Sequence, residues 1–155
     1  MYQQLSEKDG LPDIEFYDIV EDKDGFIWLA ADKGLFRYDG ETFKNYTHPE
    51  KKGLSVFGLK FDHKGRLWCN NIYGQYFYIE NDSLQLFTSL KKYSRGQLGQ
   101  FLFFDHKLNV TCFQYNLEID LETKEIKRIL PETKSHISAF KKGDTLFYVN
   151  DYNFK

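Results

Sequence analysis

The chain has 155 residues with 21 basic and 23 acidic side chains, a formal net charge of −2, so it is the length of one modest domain and offers nucleic acid no electrostatic handle. Apolar residues make up 41% of it and aromatic residues 18%, enough to fill a core, which excludes a disordered chain. No run approaches the roughly 20 consecutive apolar residues of a membrane helix, and Met1-Tyr2-Gln3-Gln4-Leu5-Ser6 lacks the basic and apolar regions of a secretory signal, so neither membrane contact nor an address is expected from this segment.

Self-similarity sets the element plan. Residues 16–29, Phe16-Tyr17-Asp18 through Ile27-Trp28-Leu29, lie over residues 56–69, Val56-Phe57-Gly58 through Leu67-Trp68-Cys69, at an offset of 40. Gly34 then falls on Gly74 and Tyr38 on Tyr78, and after one inserted residue Phe43–Thr47 lies over Leu84–Thr88. The period predicts elements in this order: an outermost strand at 2–6, blade 1 at 14–47, blade 2 at 56–88, a turn or two in 89–96, blade 3 at 99–130, and the start of blade 4 at 137–155.

The outermost strand is expected because Leu5-Ser6-Glu7-Lys8-Asp9-Gly10-Leu11 resembles Tyr46–Leu54, the passage between blades; in a ring such a strand would complete the last blade and clasp the end of the chain. Within blade 1 the strands fall at 15–21, 26–31, 34–39 and 42–47, short aromatic or β-branched runs divided by Gly, Asp and Asn. Phe26-Ile27-Trp28-Leu29-Ala30-Ala31 has no polar member, as expected of a strand covered on both faces. The third copy is degenerate: Asp105-His106-Lys107 repeats Asp62-His63-Lys64 at an offset of 43, placing Val110-Thr111-Cys112 over Leu67-Trp68-Cys69 without the tryptophan. Four antiparallel strands per unit of about 40 residues describe the blade of a β-propeller, so the fold class is all-β, a propeller fragment of about three and a half four-stranded blades in an incomplete ring.

The turn Asp-x-x-Gly-x-x-Trp, followed by Gly34-Leu35-Phe36-Arg37-Tyr38-Asp39-Gly40 and by Gly-Leu before the next copy, resembles the two-component regulator propeller family, closely over residues 1–88 and less so past 100. The resemblance implies a segment of the extracytoplasmic, periplasmic sensor of a bacterial histidine kinase or hybrid two-component regulator, non-catalytic itself, in a parent with about seven blades per propeller. Tryptophan–aspartate repeats fit less well, since Leu29 and Cys69 follow the tryptophans; so do kelch repeats, since no Gly-Gly pair exists.

Single residues read mostly as structure. Trp28 and Trp68 sit mid-strand at one repeat position, where wedges between blades belong. Asp22-Lys23-Asp24-Gly25 has calcium-loop spacing only in part, with Val20 and Lys33 where ligands are needed, and reads as a hairpin turn. His63 and His106 occupy equivalent turns, expected to lie at least roughly 10 Å apart and so not on one ion. Cys69 and Cys112 point the same way from neighbouring blades, which predicts two buried free thiols. Lys51-Lys52, Lys91-Lys92 and Lys141-Lys142 read as solvated loop charge. No catalytic set, metal site or cofactor motif is recognised.

Propellers commonly bind on the face carrying the loops between second and third strands. The candidate ligand-binding residues are therefore Asp32, Lys33, Asn71, Tyr73, Tyr115 and Asn116, beside His48–Lys52, and the expected partner is a small molecule or glycan. Uncovered blade faces predict self-association. Two other readings stand beside the sensor: a segment of a secreted propeller lyase or glycan hydrolase, and an intracellular interaction scaffold.

Overall fold

The computed structural model describes residues 2, 4–112, 114–129 and 137–150; the expected strand positions at 3, 130 and 151–155 lie outside these. Three antiparallel sheets of four strands follow one another in chain order: β1 (Phe16–Glu21), β2 (Ile27–Ala31), β3 (Gly34–Tyr38) and β4 (Phe43–Tyr46); β5 (Phe57–Phe61), β6 (Leu67–Asn70), β7 (Gln75–Glu80) and β8 (Ser83–Ser89); β9 (Gln100–Phe104), β10 (Lys107–Cys112), β11 (Tyr115–Asp120) and β12 (Ile126–Arg128). A two-stranded sheet, β13 (Ile137–Lys142) with β14 (Thr145–Asn150), comes last. The first strands lie side by side, β5 against β1, β9 against β5 and β13 against β9, so the sheets are propeller blades fanned about a common axis without closing a ring. The one α-helix among the described residues is α1 (Lys91–Ser94), a single turn where turns were expected.

The chain opens differently from the expectation of a strand over 2–6. Residues 2 and 4–6 pair with no sheet; Ser6 and Asp9 cap each other, Ser6 N–H donating to Asp9 Oδ2 at 2.9 Å, and turn the chain into a 3₁₀ helix over Glu7–Asp9. A strand exists only where its backbone groups meet a partner edge. Leu5 and Leu11 instead rest over the outer face of blade 1.

The recurrent aspartate explains the repeat's strongest signature. Asp22 Oδ1 accepts from the backbone N–H groups of Asp24 and Phe26 while Oδ2 accepts from the indole of Trp28 at 2.7 Å. Asp62 repeats the pattern with Lys64, Arg66 and Trp68, the last at 2.8 Å, and adds the guanidinium of Arg66 at 2.7 Å. One carboxylate thus closes the hairpin and fixes the wedge. Gly25 and Gly65, at φ 85° and 75°, supply the left-handed step of each turn.

Two apolar seams join the blades. In the first, Trp28, Ala30, Leu35 and Tyr46 of blade 1 meet Leu59, Leu67, Cys69 and Phe77 of blade 2. In the second, Trp68, Tyr76 and Phe87 meet Phe101, Leu108, Val110, Leu117 and Ile119 of blade 3. Across the first, Asp82 in the β7–β8 turn accepts from Tyr46, Lys44 and Arg37 of blade 1. Cys69 and Cys112 are buried free thiols in different seams.

Strand register corrects two details of the repeat. Trp68 pairs with Lys60 and Tyr78, and the residue paired in the same way with Leu102 and Glu118 is Asn109. Leu108, Asn109 and Val110 therefore take the places of Leu67, Trp68 and Cys69, an offset of 41 and not 43, because the β9–β10 turn at Asp105-His106 is tighter than its counterpart. Asp105 and His106 have φ of 49° and 57°, the pair of left-handed residues of a two-residue hairpin. In blade 2 the inserted residue lies in the turn before β7, so Gly34 corresponds to Gln75 and Tyr38 to Ile79.

The histidine turns also lie closer than expected. The rings of His63 and His106 meet edge to face with centroids 4.4 Å apart. The spacing of packed sheets describes strands in mid-blade, whereas side chains at neighbouring turns reach across the gap.

Candidate functional site

The face carrying the β2–β3 and β6–β7 turns is assembled by hydrogen bonds between loops. Asp13 accepts from the N–H groups of Lys33, at 2.6 Å, and Ile14; burial works to raise its pKa, but these backbone donors outweigh it and the pKa is lowered. Asp32 Oδ1 accepts from Ser55 at 2.7 Å and from Tyr17, whose ring stacks on Phe57 across the first seam. Asp32 thus ties two blades together, and Lys33 stands exposed beside it.

Asn71 is buried and committed to its own loop. Its amide donates to Lys52 O at 3.0 Å and Gln75 Oε1 at 2.9 Å, and its carbonyl accepts from the N–H groups of Tyr73 and Gln75. Gln75 extends the strap, donating to Glu50 O and accepting from Lys52 N–H. Burial lowers the pKa of Lys51, whose ammonium donates to the carbonyls of Gly53 and Leu54. Tyr73 is partly exposed and its ring lies on Gly53, where a Cβ would come within 2.7 Å. Gly53 has φ 65°, so both conformation and contact require glycine there.

Tyr115 stands in an aromatic and cationic group. Tyr93 of α1 meets it edge to face at 5.2 Å, and the Arg128 guanidinium lies 4.7 Å from its centroid. The loop between blades 2 and 3 carries Tyr93 there because Leu90 N–H donates to Gly74 O at 2.7 Å, fastening α1 to the β6–β7 turn. Tyr93 and Arg128 were not legible as neighbours of Tyr115, since the short helix lies outside the repeat.

Asn116 does not share this face. It is the second residue of β11, 1% exposed, and its side chain lies in the third seam, between blades 3 and 4. The six residues thus divide: Asp32 and Lys33 at one loop, Asn71 and Tyr73 at the next, Tyr115 with Tyr93, and Asn116 within the ring. Among the described residues no group of three or more His, Cys, Asp and Glu side chains is placed to hold a metal ion.

Comparisons follow the same line. Residues 10–33 match the model of the family described as two component regulator propeller, so the chain carries that repeat where Gly10-Leu11-Pro12 and the Asp22–Trp28 turn stand. No curated protein matches the chain. Among solved structures it is similar to the extracellular domain of the hybrid two component system BT4673 from B. thetaiotaomicron (TM-score 0.72, 20% identity, 89% of this chain and 19% of that one). It is also similar to the extracellular domain of the hybrid two component system BT3049 from B. thetaiotaomicron (0.73, 18%, 94% and 23%). Virginiamycin B lyase from Staphylococcus aureus is similar too (0.68, 19%, 89% and 50%). At these identities the likeness establishes the propeller fold, and the chain spans about a fifth of the length of the first of these structures.

Proposed function

We propose that this chain is a non-catalytic segment of the extracytoplasmic sensing propeller of a bacterial two-component signalling protein, binding a small molecule or glycan and associating through its uncovered blade faces. The observation that carries the reading is the Asp22–Trp28 turn, inside the matched residues 10–33 and rebuilt bond for bond at Asp62–Trp68. The extracellular domains with the same fold support it. A blade held by such turns is stiff, so binding would act by shifting blades or whole propellers against one another, biasing a two-state element elsewhere in the parent.

An alkaline phosphatase fused after residue 129 in the full-length gene product tests location: activity is expected, and inactivity there together with a fluorescent cytoplasmic fusion would overturn the reading. Tyr73→Ala and Tyr115→Ala test the loop face. Each should weaken the parent's response, and an unchanged response from both would remove that face from the proposal.

A second reading, a propeller lyase, rests on the likeness to virginiamycin B lyase. It requires an acid and a base converging on one substrate. Turnover of a candidate substrate by the purified parent would favour it over sensing.

A further inference from the structure

A cavity of about 500 Å³ opens where the first strands of blades 2, 3 and 4 converge. Its walls are β5, β9 and β13, with Asn70, Asn109 and Thr111 of the second strands and the Leu98-Gly99 approach to β9. Lys60 enters it from blade 2 and Lys141 from blade 4, on either side of blade 3. Neither lysine has an ion pair among the described residues; Lys141 reaches only the Phe104 ring, at 5.8 Å from its centroid. No Asp or Glu is among the described residues that wall the cavity. Asn109 stands at the wedge position of Trp28 and Trp68, which makes this end of the third seam polar. It is 3% exposed and its carbonyl oxygen has no hydrogen-bond partner within the protein.

The repeat shows which group is missing here. In the first seam Asp18 of β1 accepts from the backbone N–H of Leu59 at 2.7 Å, across the two blades. Strand pairing puts Gly58 at the place of Asp18 and Phe101 at the place of Leu59. In blade 3, Phe104 and Lys107 close a two-residue hairpin and exchange hydrogen bonds, as Leu102 then does with Asn109 and Gln100 with Thr111. The N–H of Phe101 is thereby directed off the open edge of the sheet, as that of Leu59 is. The same alternation, counted from the pair Lys142 and Thr145, directs the N–H of Ala139 off the open edge of β13. A Cβ on Gly58 would come within 2.9 Å of the Phe101 ring, at a φ of 55°, so no acidic side chain can stand there. The second seam keeps the donor and has lost its carboxylate.

We infer that this cavity binds a small dicarboxylate bearing a hydroxyl. One ligand carboxylate takes the place that Asp18 holds in the first seam, accepting from the Phe101 N–H, and Lys60 and Lys141 balance the two charges. A hydroxyl supplies the donor that the Asn109 carbonyl lacks. The volume is within the roughly 300–1,000 Å³ of small-molecule sites. Carboxylate is preferred to phosphate because a carboxylate already fills the equivalent place between blades 1 and 2.

The inference deepens the sensing proposal by naming a site and a ligand class, and it rests on that proposal only for the use made of binding. Binding is measured on the full chain by NMR titration at constant ionic strength with L-malate, succinate, inorganic phosphate and the uncharged dimethyl L-malate, following backbone amides. Malate should shift the Phe101 and Ala139 amides saturably, succinate more weakly, and the diester not at all. Lys60→Gln and Lys141→Gln change exposed side chains, so the fold should survive, and each should weaken malate binding tenfold or more. Lys142→Gln, beside them in sequence but outside the cavity, should leave it unchanged. Silence from both malate and succinate would overturn the site, as would equal shifts from the diester or an equal loss in Lys142→Gln. Tighter binding of phosphate than of malate would overturn the carboxylate assignment. A chain that binds malate, in a parent whose fusions report a cytoplasmic location, would retain the site and lose the sensing reading.

Discussion

The indole N–H of Trp68 donates to Asp62 at 2.8 Å, and the same carboxylate, wholly buried, closes the hairpin that delivers the tryptophan to the second seam. Turn and wedge are one unit, which is why aspartate, glycine and tryptophan recur together. Asp62→Ala leaves an indole, two backbone N–H groups and Arg66 without their acceptor and should cost about 3–5 kcal/mol in urea unfolding. Asp22→Ala, in a more exposed turn without the arginine, should cost less.

The same aspartate sets an acid limit. Burial pushes its pKa up, but Trp68, the Arg66 backbone and guanidinium together outweigh burial and hold it below the ordinary value; Asp39, Asp82 and Asp120 are lowered too, by hydrogen bonds first. A carboxylate with a folded-state pKa below the unfolded one contributes stability above about pH 4, which is lost as pH falls through the folded value. Melting temperature should be level from pH 7 to about 5 and fall steeply below about 4. In Asp62→Asn the fall should be shallower.

Burial pushes the thiols of Cys69 and Cys112 up to about 12 and about 11. Both should ignore a thiol-directed disulfide reagent at pH 8 in the native state and react fully in denaturant. Reaction of either at the rate of a free thiol would show an open seam.

Leu5, Leu11, Phe16, Ile27, Leu29 and Phe43 line an open apolar hollow of about 680 Å³ on the outer face of blade 1. At the other end Phe140 and Phe147 stack with centroids 4.8 Å apart and stand exposed. Uncovered faces of this kind favour association. Light scattering at tens of micromolar should give a mass above that of the monomer, reduced by Phe140→Lys and Phe147→Lys together; a monomer would remove self-association from the proposal.

Much of the fold was legible because strand pattern and repeat agree: Phe26–Ala31 reads as a doubly covered strand, and β2 is buried from Trp28 to Ala31. The aspartate's hydrogen bonds preserve the spacing that made the first two blades easy to align. Blade 3 has lost its tryptophan and tightened its first hairpin, so matching Asp105-His106-Lys107 to Asp62-His63-Lys64 drew Cys112 onto Cys69 while the strand pairing puts Val110 there. That register concealed Asn109 in the wedge position and, with it, the polar seam. Asn116 read as a loop residue because turn position is visible in sequence and the direction of a strand's face is not, once register is lost. His63 and His106 show the same limit, since side-chain reach is written nowhere in the spacing.

The central claim is that these modules stack side by side with aromatic wedges at their seams, and contacts between blades test it most directly. Nuclear Overhauser effects in the full chain should link the rings of Trp68 and Phe103, 5.2 Å apart across the second seam, and those of Tyr17 and Phe57, 4.4 Å apart across the first. Observation of both is the predicted result. Ring contacts confined within each 40-residue module, with neither pair connected, would contradict the propeller.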